Sequence, residues 1–177
     1  MKIRFVILFI ALLLYFVPTT TAFAQSDYVL PYPGAMPGNR LYTISKIVDY
    51  IQSWWSFGNL SQFTYQLSMA DKKLVEAKTL FEYKQYLLAS DGLARYQSHL
   101  KNAAFFLKKA EDEGKNVSQK RALFFSAIQK HEEVLGKIKN ATPAVFIWEP
   151  ERNTPTTIEM HNMIDKAIEL GRTYNGI

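Results

Sequence analysis

Apolar residues recur between positions 60 and 110 at alternating steps of three and four. Leu60, Phe63, Leu67, Ala70, Leu74, Ala77 and Phe81 form one series, and Tyr86, Ala89, Leu93, Tyr96, Leu100, Ala103, Leu107 and Ala110 form a second. Each series lies on one face of a helix, because 3.6 residues complete a turn. Extending the first series past Phe81 selects Gln85, Leu88, Gly92, Arg95 and His99, which is mostly polar. The second series is therefore shifted by one residue, and one straight helix cannot bury both. The pattern predicts two long helices folded back on each other at a turn near residues 82–85.

The same rhythm predicts further helices on either side. Residues 41–57 carry Leu41, Ile44, Val48, Ile51 and Trp55 on one stripe, widened by Ile47 and Trp54, and Gly58 is a usual helix stop. The Trp54-Trp55-Ser56-Phe57 cluster suits a core plug at the end of a bundle; a membrane interface or a ligand pocket are the other settings for such a cluster. Asn59 with Gln62 resembles a capping box. Asp71, Lys72, Lys73, Glu76, Lys78 and Glu82 read as a solvated face. Ser118 opens a helix to about residue 139, striped by Phe124, Ile128, His131, Leu135 and Ile138. Pro143, Pro150 and Pro155 flank an apolar piece at 144–148, predicted to be an extended strap across the bundle. Helical spacing resumes over 157–170 with Met160, Ile164, Ala167 and Gly171. The expected fold is all-α: an antiparallel bundle of three or four main helices built on the long hairpin, plus a C-terminal helix. The bundle domain occupies 41–140, and the strap and last helix 141–177.

The N-terminal region reads differently. Lys2 and Arg4 precede an uncharged apolar run over residues 5–17, and Ala22-Phe23-Ala24 offers small residues for cleavage before Gln25. A helix of that run would span about 20 Å, short of the roughly 30 Å hydrocarbon core. Residues 1–24 are therefore expected to be a secretory signal cleaved between Ala24 and Gln25, with an uncleaved N-terminal anchor as the alternative. Residues 25–40 form a leader in which Pro31, Pro33 and Pro37 exclude helix. Its Tyr28, Leu30 and Tyr32 are expected to pack along a neighbouring helix, although a Pro-rich aromatic stretch can also bind partners.

Composition mainly removes functions. The 177-residue chain has no cysteine, which excludes disulfides, thiol catalysis, cysteine-held metal and a lipid anchor on cysteine. Its net charge is +5, and loss of Lys2 and Arg4 leaves 19 basic against 16 acidic residues, or +3. So small and scattered an excess argues against a nucleic-acid partner. No phosphate-cradling or nucleophile-elbow motif is present. His131-Glu132-Glu133 lacks the second histidine of a zinc protease, because position 135 is Leu135. No Glu-x-x-His pair precedes His99, His131 or His161. The triplets beginning at Asn59, Asn116 and Asn140 match the glycosylation acceptor and matter only in a eukaryotic source. The chain is expected not to be an enzyme and to hold no cofactor or metal.

Taken together, YVLPYPG at 28–34, PGNRLY at 37–42, LSMADKKLVEA at 67–77, residues 96–103 and KHEEVL at 130–135 resemble a bacterial family of exported helical domains of unknown function. The resemblance covers roughly residues 28–140. It implies an extracytoplasmic helical domain and assigns no site. The leading functional expectation is a non-catalytic binding or scaffold module in the cell envelope or secreted. Its contacts would be made through aromatic surface at Tyr28, Tyr32, Trp54 or Trp148, with an unknown protein or envelope component as partner and membrane contact only through an uncleaved signal. Two alternatives stand beside it: a metal- or small-ligand-binding bundle using His99, His131 and Glu132 or Glu133, and a chaperone-like client binder with a large apolar patch.

Overall fold

A computed structural model describes residues 27–174 apart from Gly38 and Asn153, without the Arg40 side chain. The expected signal segment, with its expected cleavage between Ala24 and Gln25, lies outside the described residues. Five helices and one small hairpin of strands follow in order: α1 (Arg40–Trp55), α2 (Asn59–Glu82), α3 (Tyr86–Asp112), α4 (Ser118–Ala141), β1 (Val145–Trp148), β2 (Thr156–Glu159) and α5 (Met160–Tyr174). The architecture is all-α, and the packed α2–α3 hairpin is its principal contact.

The two shifted stripes face each other in that hairpin. Phe63, Leu67, Ala70, Leu74, Ala77 and Phe81 of α2 are buried against Ala89, Leu93, Tyr96, Leu100, Ala103, Leu107 and Ala110 of α3. Small residues allow a close approach near the turn, where a Cβ on Gly92 would lie 3.3 Å from that of Ala77. Both helices of the hairpin end in the same way. Gln85 N–H bonds the Leu80 carbonyl and Lys84 N–H that of Phe81, with Lys84 left-handed at φ 57°. Lys115 and Gly114 repeat this on Ala110 and Glu111, with Gly114 at φ 75°. Such endings satisfy the last carbonyls of each helix and reverse the chain sharply.

Helix α4 packs on α2 through Phe124, Ile128, His131, Leu135 and Ile138, all buried. Helix α5 lies against α4 and α3, burying Met160, Ile164, Ala167 and Gly171. The Lys139–Asp165 ion pair at 2.7 Å and the Arg172–Glu132 pair tie α4 to α5.

Several local expectations are corrected. The apolar piece at 144–148 is not a lone strap, because β1 pairs antiparallel with β2 from Val145↔Glu159 to Trp148↔Thr156. The β-branched Thr156, Thr157 and Ile158 therefore belong to a strand, and the last helix begins at Met160 rather than at 157. Phe146 turns its ring onto Tyr86 of α3, with centroids 4.9 Å apart. The capping box at Asn59 does not form. Gly58 occupies the cap position, while the Asn59 amide donates to Glu113 and the Gln62 amide to the Ser56 carbonyl. Ser118 is likewise the first residue of α4 rather than its cap, and its N–H bonds the Asn116 side chain at 3.1 Å.

Candidate interaction surface

Helix α1 forms where its periodicity places it, but its faces are reversed relative to a bundle helix. Leu41, Ile44, Ile47, Val48, Ile51, Trp54 and Trp55 are all exposed, from 49% at Ile51 to 76% at Trp55. Just beyond the helix, Phe57 is 78% exposed. The half-buried positions are Tyr42, Ser45, Asp49, Ser53 and Ser56, on the opposite side of the helix. The expected core plug at Trp54-Trp55-Phe57 is thus an outward surface. Together with Tyr50 and Ile51 these three aromatics line an open apolar hollow of about 390 Å³.

Polar contacts hold α1 by its other face. Tyr42 donates to Glu76 Oε1 at 3.0 Å, and Glu76 Oε2 pairs with Lys73 at 2.5 Å. Burial and the neighbouring Glu76 carboxylate push the Tyr42 hydroxyl above the usual tyrosine range, so it stays a donor. Lys72 pairs with Asp49 at 2.8 Å, and the Tyr65 hydroxyl donates to the Asp49 carbonyl at 3.0 Å. The expectation of a solvated face on α2 is corrected here: α1 and the leader cover part of it, leaving Asp71 6% and Lys73 8% exposed.

Asp71 is the centre of a buried network. Tyr28 of the leader donates to its Oδ2 at 2.6 Å, and His131 Nε2 lies 2.7 Å from its Oδ1. The other ring nitrogen, Nδ1, lies 3.3 Å from the Tyr96 hydroxyl, so both nitrogens of the imidazole have a polar partner. Burial raises both tyrosine hydroxyls above their ordinary range, with the Asp71 carboxylate adding to it. The network joins the leader, α2, α3 and α4. His131 is 1% and Asp71 6% exposed, and the arrangement is that of a buried polar cluster whose groups have partners.

The other titratable candidates are drawn apart. His99 Nδ1 bonds Gln66 Oε1 at 2.7 Å, Glu132 pairs with Arg172, and Glu133 pairs with both Lys130 and Lys137. Among the described residues no group of three or more His, Asp and Glu side chains converges as metal ligands would. Of the four aromatics expected to form a contact surface, Trp54 and Trp148 are exposed and Tyr32 is 95% exposed. Tyr28 is instead half-buried and turned inward. Tyr28 and Leu30 pack on the core as expected, Met36 joins them, and Tyr32 does not. The surface residues that sequence reasoning missed, Ile44, Ile47, Val48 and Ile51, carried a bundle-like period, and nothing in that period says which way it faces.

These features define a helical-hairpin bundle with an outward apolar helix joined to its side. The family model Domain of unknown function (DUF5667) matches residues 34–144, from the leader through α4, and the chain belongs to that family. No curated protein and no solved structure matches the chain.

Proposed function

We propose that this protein is a non-catalytic binding module that works outside the cytoplasmic membrane, with the outward face of α1 as its contact surface. The observation that carries this reading is the reversal of α1. Nine large hydrophobic side chains from Leu41 to Phe57, Tyr50 among them, stand in solvent while the polar face is clasped by α2. Large hydrophobics are exposed elsewhere too, Phe105 and Ile147 among them, but a continuous apolar helix face of this kind marks a place where something else docks. Export is supported by the basic start, apolar run and small residues of 1–24. The ligand-binding alternative loses its support because His99, His131, Glu132 and Glu133 each have another partner.

Photocrosslinking in the producing cell tests this reading. A diazirine side chain at position 51 is expected to give adducts well above those from the same group at the exposed Lys108 of α3. Equal, background-level labelling at both positions would overturn it.

A further inference from the structure

Helix α1 is too short and too charged to cross a bilayer. Its 16 residues span about 24 Å as helix against roughly 30 Å of hydrocarbon. Among the described residues no helix is long and apolar enough to cross. The composition of α1 is nevertheless that of a helix lying in a lipid interface. Isoleucines, valine and leucine fill the outward face, and Tyr50, Trp54, Trp55 and Phe57 gather at its end. Tryptophan and tyrosine favour the headgroup level, because each ring has an apolar body and a polar tip.

The charges agree. The helix carries Arg40, Lys46 and Asp49, and the single carboxylate is turned inward and held by Lys72. Lys46 stands above the Tyr42 ring at 4.6 Å, on the side of α1 away from its apolar face. Chain connectivity agrees as well. The apolar run of residues 5–17 is followed by a leader that reaches α1 at residue 40. Where the run stays uncleaved, the ten residues between it and Tyr28, which Asp71 holds on the bundle, reach at most roughly 35 Å and keep the bundle beside the membrane.

We propose that the apolar face of α1 lies on an anionic lipid bilayer, with the hairpin bundle standing above it on the polar clasp. The proposal rests on the reading of α1 as the contact surface and names its occupant. A second copy of the chain and another protein are the competing occupants. The lipid is favoured because α1 combines a terminal aromatic cluster with no unpaired carboxylate.

Tryptophan fluorescence of the full chain in vesicles of phosphatidylglycerol and phosphatidylcholine decides it. The sequence has three tryptophans, so Trp148→Phe leaves Trp54 and Trp55 as the reporters, and W54F/W55F leaves Trp148. With the first variant, emission is expected to shift to the blue. Nitroxide lipids labelled near the glycerol are expected to quench it more than lipids labelled at the chain ends. Trp148 in the second variant is expected to be quenched several-fold less. Phosphatidylcholine alone is expected to weaken the α1 signal. Equal, weak quenching of both variants would overturn the lipid assignment. In that event, a blue shift that grows with protein concentration without vesicles would identify a second copy and leave the contact surface standing. Crosslinks from position 51 to another protein, with no lipid quenching, would overturn the lipid alone, whereas absence of every signal would overturn both readings.

Discussion

Helices α1 and α3 carry apolar stripes of the same period and similar strength of pattern, and they turn those stripes opposite ways. In α3 the stripe from Ala89 to Ala110 is buried against α2. In α1 the stripe from Leu41 to Trp55 faces solvent, and the helix meets α2 through Tyr42, Ser45 and Asp49. Periodicity fixes that a helix has an apolar side, because side chains three and four apart share a face. It does not fix what that side meets. The two helices differ in their neighbours: α3 follows a tight turn that forces it back onto α2, whereas α1 emerges from a leader and meets an α2 surface made of Lys72, Lys73 and Glu76.

The largest effect expected from this contrast is in the hairpin. Leu93→Ala, at a fully buried position, should lower unfolding free energy by about 3–4 kcal/mol in a denaturant titration, through lost burial and the cavity left behind. A loss below about 1 kcal/mol would mean that the hairpin core is not packed as described.

Next come the polar groups under the leader. Asp71→Ala leaves His131 Nε2 and the Tyr28 hydroxyl without their partner in a buried site, and should cost about 2–3 kcal/mol. Tyr28→Phe removes one hydrogen bond to that carboxylate and should cost about 1–2 kcal/mol. The order of the two variants is the test: if Tyr28→Phe costs as much as Asp71→Ala, the leader rather than the α2–α4 contact dominates the network.

The fold was legible where a stripe had its partner close in sequence. The one-residue shift between Phe81 and Tyr86 located the hairpin turn, and Met160, Ile164, Ala167 and Gly171 all proved buried. It was less legible where partners are distant. Asp71 reads as one more surface charge beside Ala70, and only folding brings Tyr28 and His131 to it, 43 and 60 positions away. The β1–β2 pairing was hidden for a similar reason, since four-residue strands carry too few alternations to declare themselves. The candidate surface was half legible: Trp54 was identified, but the aliphatic face beside it was assigned to the core.

A pH titration probes the edge between the two regions. His99 is half-buried on α3, and burial first, then Lys73 and Arg95, hold its imidazole below the ordinary range, with Asp49 opposing them. As pH falls, the unfolded chain therefore takes up this proton before the folded one does. The stability concerned is present above about pH 6.5 and is lost as pH falls through that value toward the lower folded value. His99→Gln should remove this portion of the pH dependence while leaving the rest, as seen by comparing unfolding midpoints across pH 5–8. Identical slopes for the two proteins would mean that His99 is not desolvated.

The smallest expected effect bears hardest on the comparison. Ile44→Ser, Ile51→Ser and Trp55→Ser together would be ruinous on a buried stripe, where each large-to-small change costs on the order of 2–5 kcal/mol. On α1 the same three changes remove side chains that are already about half or more in water. They also leave helix formation nearly untouched, because isoleucine, tryptophan and serine have similar intrinsic helix propensities. At up to about 0.5 kcal/mol for each surface change, the triple variant should unfold within about 1.5 kcal/mol of the parent, while Trp54, in the Trp148→Phe background, loses its blue-shifted emission on vesicles. A loss of several kcal/mol would break the comparison outright, since it would mean that this stripe is covered by the chain itself and that α1 is a core helix like α3.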